Sequence, residues 1–206
     1  NEEVSIVTVI NDVQQYGDVI IVDDGSFDST VALAAGTSAT ILTHGSKMGY
    51  ESALSTGIGH AVREGYRFII TTDADGELKS GGIKKVLSLL RENFSMVVGR
   101  RNTKNRFIEY IFGLLSSLAF GIHDPLCGMK GYSSDFYKRY GFFDKQKMIG
   151  TELLALAIRD NISIKETRVN VQKRDGESRF GGALASFIKI SRVMYIFFKL
   201  CLQKKV

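Results

Sequence analysis

A chain of 206 residues with 44% hydrophobic and 24% charged residues has the apolar content for a buried core, which excludes a disordered or fibrous protein. Its formal charge of +5 is matched by residues 187–206 alone, where Lys189, Arg192, Lys199, Lys204 and Lys205 stand without an acid; nucleic acid, which needs cations spread over a fold surface, is therefore not an expected partner. Two distant cysteines, Cys127 and Cys201, exclude a disulfide framework and a zinc cluster and point to a reducing compartment.

In chain order, EVSIVTVINDV is β-branched enough for a strand, yet Ile6, Val9, Ile10 and Val13 recur at i, i+3, i+4 and i+7, which predicts a helix. Asn1-Glu2-Glu3 gives no basic start, and no signal peptide is expected. Short runs rich in Val, Ile and Thr at 18–24, 39–44, 67–73 and 95–100 predict buried strands. Helical patterns lie between them, the clearest with Ile83, Val86, Leu87 and Leu90 at helix spacing. This alternation predicts an α/β fold, a mainly parallel sheet flanked by helices, with ligands at the carboxyl ends of the strands. Asp23, Asp24, Asp73 and Asp75 fall at such ends.

Beyond residue 100 the pattern changes. Residues 106–122 form a long apolar helix, either a core helix or an interfacial membrane helix. A helix at 150–161 and an alternating strand at 163–171 precede a polar loop with Arg174 and Arg179. The final segment projects Lys189, Arg192, Lys199 and Gln203 into one sector and apolar residues into the rest. It is too charged to span a bilayer. It reads either as a basic amphipathic helix on an anionic membrane surface or as a helix packed on the domain. The expected division is a catalytic domain at 1–182 and a membrane-associating helix at 183–206.

Chemistry concentrates in the acids. Asp73, Asp75 and Glu77 alternate after an apolar strand, so their charges share one side and repel unless solvated or bridged by a cation. Hard oxygen ligands at a strand end suit Mg2+ or Mn2+, which takes one or two carboxylates and completes its shell with water and phosphate. Gly76 stands fourth from Asp73 where an EF-hand needs its glycine sixth. A haloacid-dehalogenase phosphatase also uses Asp-x-Asp, but on its first strand rather than the third. After the first strand, Asp23 and Asp24 are either helix-cap and turn residues or acceptors for a base or ribose. Asp124 and Glu152 lie in loops or at helix starts.

Taken in order, VIIVDDGSFDST, THGSKMGYESALSTGI, IITTDADGE, MVVGRR, DPLCGMKGY, GTELLALAIRDN and RDGESRFGG resemble a family 2 glycosyltransferase of the nucleotide-sugar-binding A-type fold, in its dolichyl-phosphate mannose synthase-like branch. The resemblance implies an inverting, metal-dependent hexosyltransferase that uses a nucleotide-diphosphate sugar and a polyprenyl phosphate acceptor at the cytoplasmic face of a membrane. It assigns Asp23 and Asp24 to the nucleoside, Asp73 and Asp75 to Mg2+ or Mn2+ and the diphosphate, and Arg101 and Arg106 to the acceptor phosphate. Glu152 belongs near the sugar, and Arg174 and Arg179 to a loop closing over the pyrophosphate; Asp75, Glu152 and Arg174 are the catalytic candidates. A sugar hydroxyl as acceptor, with Glu152 or Asp124 as base, and a non-catalytic remnant are the alternatives. The family places a strand before the position of Asn1, so that first strand is expected to be missing, and Glu77 stands where close relatives often carry Gln or His.

Overall fold

The computed structural model describes residues 1–172 and 182–203. The periodicity of the opening stretch is realised as α1 (Ile6–Val13), which buries Ile6 and Ile10. The β-branched runs become β1 (Ile20–Asp23), β2 (Thr40–Thr43), β3 (Phe68–Thr71) and β4 (Met96–Arg101). Helices α2 (Thr30–Ala35), α3 (Tyr50–Arg63) and α4 (Gly81–Arg91) separate them. The second half holds α5 (Phe107–Phe120), β5 (Lys130–Ser133), α6 (Ser134–Tyr140), α7 (Glu152–Arg159), β6 (Ile164–Val169) and α8 (Ala183–Leu202).

The expected α/β architecture is present, with one departure from a mainly parallel sheet. β1 and β2 form a parallel pair, Ile20 opposite Thr40 and Asp23 opposite Thr43. The other four strands run in the order β3-β5-β4-β6, with β5 antiparallel to both neighbours and β4 parallel to β6. β1 and β3 are each at an edge of their sheet. Helix α3 packs on both strands and so ties the two sheets together.

Successive side chains of a strand serve opposite faces, and β4 shows it. Met96 and Val98 enter a core with Phe112 of α5 and the wholly buried Leu153–Ala157 stretch of α7, while Val97 enters a second core with Ile83, Val86 and Leu90 of α4. Gly131 of β5 makes that second contact close, because a Cβ there would stand 2.5 Å from Val86 and 2.9 Å from Leu90.

Helix α8 is docked rather than detached. Ile190, Val193, Phe197 and Cys201 belong to the main core, and Phe197 meets Phe112 edge-on at 5.2 Å. Among the described residues no helix is long and apolar enough to cross a membrane. Truncating a buried aromatic removes transfer energy and leaves a cavity, so Phe197→Ala is expected to cost about 3–5 kcal/mol in denaturant unfolding. The exposed Leu202→Ala is expected to stay within about 0.5 kcal/mol; equal losses would show that α8 does not share the core.

Candidate active site

At the end of β1 the two acids hold loops. Asp23 is buried and accepts the backbone N–H groups of Gly25 at 3.2 Å and Ser26 at 3.1 Å, closing a turn in which Gly25 has φ of 83°. Asp24 accepts the N–H groups of Met48 and Gly49, each at 2.7 Å, and pairs with His44 Nδ1 at 2.8 Å, whose Nε2 meets Thr56 Oγ1. Desolvation alone would raise the Asp24 pKa, but His44, Met48 and Gly49 outweigh it and leave the carboxyl below its usual range. Of the two acids that the sequence offered for a nucleoside, Asp23 closes its own turn and Asp24 fastens the 44–49 segment to the strand end.

The acid pair after β3 is arranged differently. The Asp73 carboxylate lies directly over the Cα of Gly128, where any Cβ would collide with it. Among the described residues no donor hydrogen-bonds that carboxylate. Burial, then the neighbouring charge of Asp75, pushes Asp73 from the ordinary 3.8 up to about 6 against the opposing pull of Lys130 and Arg101. Asp75 accepts the Glu77 N–H at 3.0 Å. The acid loop is held from three sides: Ser5 Oγ donates to Ala74 O, Asn105 Nδ2 to Glu77 Oε1, and Gln172 to the carbonyls of Gly76 and Glu77.

Lys130, which sequence reading did not single out, is 2% exposed and donates from Nζ to Cys127 O at 2.7 Å. Burial depresses its pKa while Asp73 and Asp124 support its charge. Its only signal was a lysine inside the otherwise apolar and glycine-rich stretch CGMKGY.

The structure brings Arg101 and Arg106 together, through a shared carboxylate. Arg101 binds Asp124 by Nε at 2.8 Å and Nη2 at 2.9 Å, and its Nη2 also reaches Glu109 at 2.9 Å. Arg106 Nη1 reaches the other oxygen of Glu109 at 2.9 Å. Burial opposes the charge of Arg101, but Asp124 and Glu109 more than offset it. Asp124 is itself fixed, since Glu166 accepts the N–H groups of His123 and Asp124.

Glu152 is not directed at the acid pair. It is buried, and its oxygens accept from Lys145 N at 2.6 Å, Gln146 N at 2.8 Å and Gln146 Nε2 at 3.1 Å. Beside it Asp144, pushed up first by burial, accepts from Met148 N and Gly150 N. This loop carries Lys147 and Ile149 at φ of 55°, a conformation costly for a β-branched residue. Arg174 and Arg179 lie outside the described residues.

No cluster of three or more His, Cys, Asp and Glu suited to a metal occurs among the described residues. Two carboxylates are nonetheless what Mg2+ or Mn2+ takes when phosphate and water complete its shell. A crowded, half-buried Asp73 without a hydrogen-bond donor fits that donor set.

A carboxylate whose pKa is raised by folding contributes stability that is complete below about pH 4 and lost as the pH climbs through about 6. In the metal-free protein, Asp73→Asn is therefore expected to stabilise the fold above that range by about 1–3 kcal/mol and to have no effect near pH 4. Urea unfolding across this range checks it, and a variant no more stable than the parent at neutral pH contradicts the crowded-carboxylate picture.

Comparison with known proteins follows the same lines. The chain is 26% identical over 209 residues to a dolichyl-phosphate hexose transferase of Haloferax volcanii, covering 92% of this chain and 90% of the relative. It is 23% identical over 193 residues to a polyprenol monophosphomannose synthase of Mycolicibacterium smegmatis, covering 80% and 71%. Among solved structures, glucosyl-3-phosphoglycerate synthase of Mycobacterium tuberculosis with Mn2+ and UDP-glucose superimposes with a TM-score of 0.74 at 17% identity, over 98% of this chain and 76% of that one. The same enzyme with Mg2+ and UDP also gives 0.74, at 18% identity. These neighbours share the A-type glycosyltransferase fold. The sequence model of the family described as Glycosyl transferase family 2 matches residues 1–141, which include both acid pairs and the Arg101–Asp124 ion pair, and the chain belongs to that family.

Proposed function

We propose that this family 2 glycosyltransferase moves a hexose from a nucleotide-diphosphate sugar to a polyprenyl phosphate, with inversion, at the cytoplasmic surface of a membrane. The observation that carries the choice of acceptor is the state of the two candidate bases. Asp124 is committed to Arg101 and its own backbone anchor, and Glu152 is committed to the 145–146 backbone. A sugar hydroxyl needs a base to take its proton. A phosphate monoester is already anionic at neutral pH and needs none, which supports the lipid-phosphate reading. The printed names of the relatives from Haloferax volcanii and Mycolicibacterium smegmatis support it as well.

In this reading Asp23 and Asp24 shape the nucleoside end of the cleft, and Asp73 and Asp75 hold Mg2+ or Mn2+ against the diphosphate. The cation supplies neutralisation of the charge that grows on the departing nucleoside diphosphate. Arg174 and Arg179 add guanidinium forks to the same phosphates. Arg101 and Arg106 receive the acceptor phosphate in part-exchange for the carboxylate of Glu109. Lys130 and Arg101 pull against the burial of Asp73 and partly support its charge.

Titration calorimetry with UDP and GDP, with and without Mn2+, should give binding to one nucleotide that depends on the metal. A labelled nucleotide sugar mixed with polyprenyl phosphate should give an organic-extractable product, and Asp75→Ala should abolish it. Metal-independent binding, or normal turnover by Asp75→Ala, would overturn the role of the acid pair. Transfer only to sugar hydroxyls would return Glu152 to the position of base.

A further inference from the structure

Tyr50 stands where the parts of the site meet. It is the first residue of α3. The residue before it, Gly49, gives its N–H to Asp24 at 2.7 Å, and the residue after it, Glu51, accepts the N–H of Ile149 at 3.3 Å. The start of the helix is thereby tied on one side to the end of β1 and on the other to the strained loop, where Ile149 has φ of 55°. The ring itself lies against that loop, since a Cβ on Gly150 would stand 3.8 Å from Tyr50 Cε1.

Tyr50 is 41% exposed, yet protein crowds its phenol closely enough that burial leads the causes that raise its pKa, with the charge of Asp73 second. A side chain that is both crowded and accessible lines a concave surface, and here that surface lies between Asp73 and the backbone at 149–150. The hydroxyl makes no hydrogen bond to any described residue. It stays protonated, a neutral donor beside the acid pair.

The charges around the phenol select its ligand. The charged residues that act on it most are Asp73 and Glu51, and both are acids. A phosphate seated against the ring would meet negative charge. A hexose is neutral, and it offers C–H surface to an aromatic face and hydroxyls to a phenolic O–H.

We infer that Tyr50 seats the transferred hexose, its ring packing on the sugar and its O–H hydrogen-bonding one sugar hydroxyl, and so helps to set which donor sugar is accepted. The inference deepens the function proposed above and rests on it. A buried polar group that pairs with a substrate hydroxyl discriminates against sugars that lack one at that position.

The test compares nucleotide sugars with the bare nucleotides by titration calorimetry in Mn2+, UDP-glucose against UDP and GDP-mannose against GDP, for the parent, Tyr50→Phe and Tyr50→Ala. Tyr50→Phe keeps the ring and should leave both the unfolding transition and the affinity for the bare nucleotide unchanged. The nucleotide sugar that the parent binds should bind it about 3–10-fold more weakly, the loss of one neutral hydrogen bond. Tyr50→Ala should weaken the nucleotide sugar further, again without effect on the bare nucleotide. Equal weakening of both would put the phenol on the diphosphate and overturn the assignment, as would a Tyr50→Phe protein that binds the nucleotide sugar like the parent; either result leaves the proposed transferase standing. A parent that binds none of the four compounds overturns the proposed function, and the sugar contact with it.

Discussion

One carboxylate that the fold crowds and desolvates sets the terms for everything around it. Asp73 is pressed on the Cα of Gly128 and raised by burial and by Asp75. Asp73 feels the charges of Asp75 and Glu77 against those of Lys130 and Arg101. Arg101 and Arg106 are held in ion pairs with Asp124 and Glu109, and the cost of a desolvated charge remains on Asp73. Strain of this kind is kept where a structure uses it, and under the function proposed above a divalent ion would relieve it. On that proposal, the stability sacrificed at Asp73 and the affinity for a cation are the same electrostatic quantity seen from two sides.

The other acids serve to build that site. Asp23 and Asp24 close loops with backbone N–H groups and His44. Glu166 anchors the segment that brings Asp124 to Arg101. Glu152 gathers the strained loop at 144–150. These carboxylates spend their lone pairs on backbone N–H donors, so the same bonds hold the loops in place. In the function proposed above, an acceptor that brings its own negative charge suits such a site.

Much of this was legible in the sequence, and the exceptions have physical causes. The alternation of β-branched runs with amphipathic stretches located β1 to β4 and the helices between them, since period and composition are local properties. β5 was missed, and with it the mixed character of the sheet. Lys130, Gly131, Tyr132 and Ser133 have the look of a loop, and they are extended because β3 and β4 pair with them on both sides and the bare Gly131 admits Val86 and Leu90. The acid pair announced itself through its spacing. Lys130 did not, because its meaning depends on which carboxylate folds above it. The final helix admitted two readings, docked or membrane-facing, and its geometry accommodates both: Ile190, Val193 and Phe197 are spent on the core while Ile188, Tyr195 and Leu202 point outward.

Gly128 offers the sharpest probe of the central claim, because the three atoms nearest a methyl group there all belong to the Asp73 carboxylate, which must move. Mn2+ titration in the presence of the bound nucleotide diphosphate should show the Gly128→Ala protein to bind the metal about 10–100-fold more weakly than the parent, with a nearly unchanged unfolding transition. Equal Mn2+ affinity in the two proteins would contradict the assignment of Asp73 as a metal ligand.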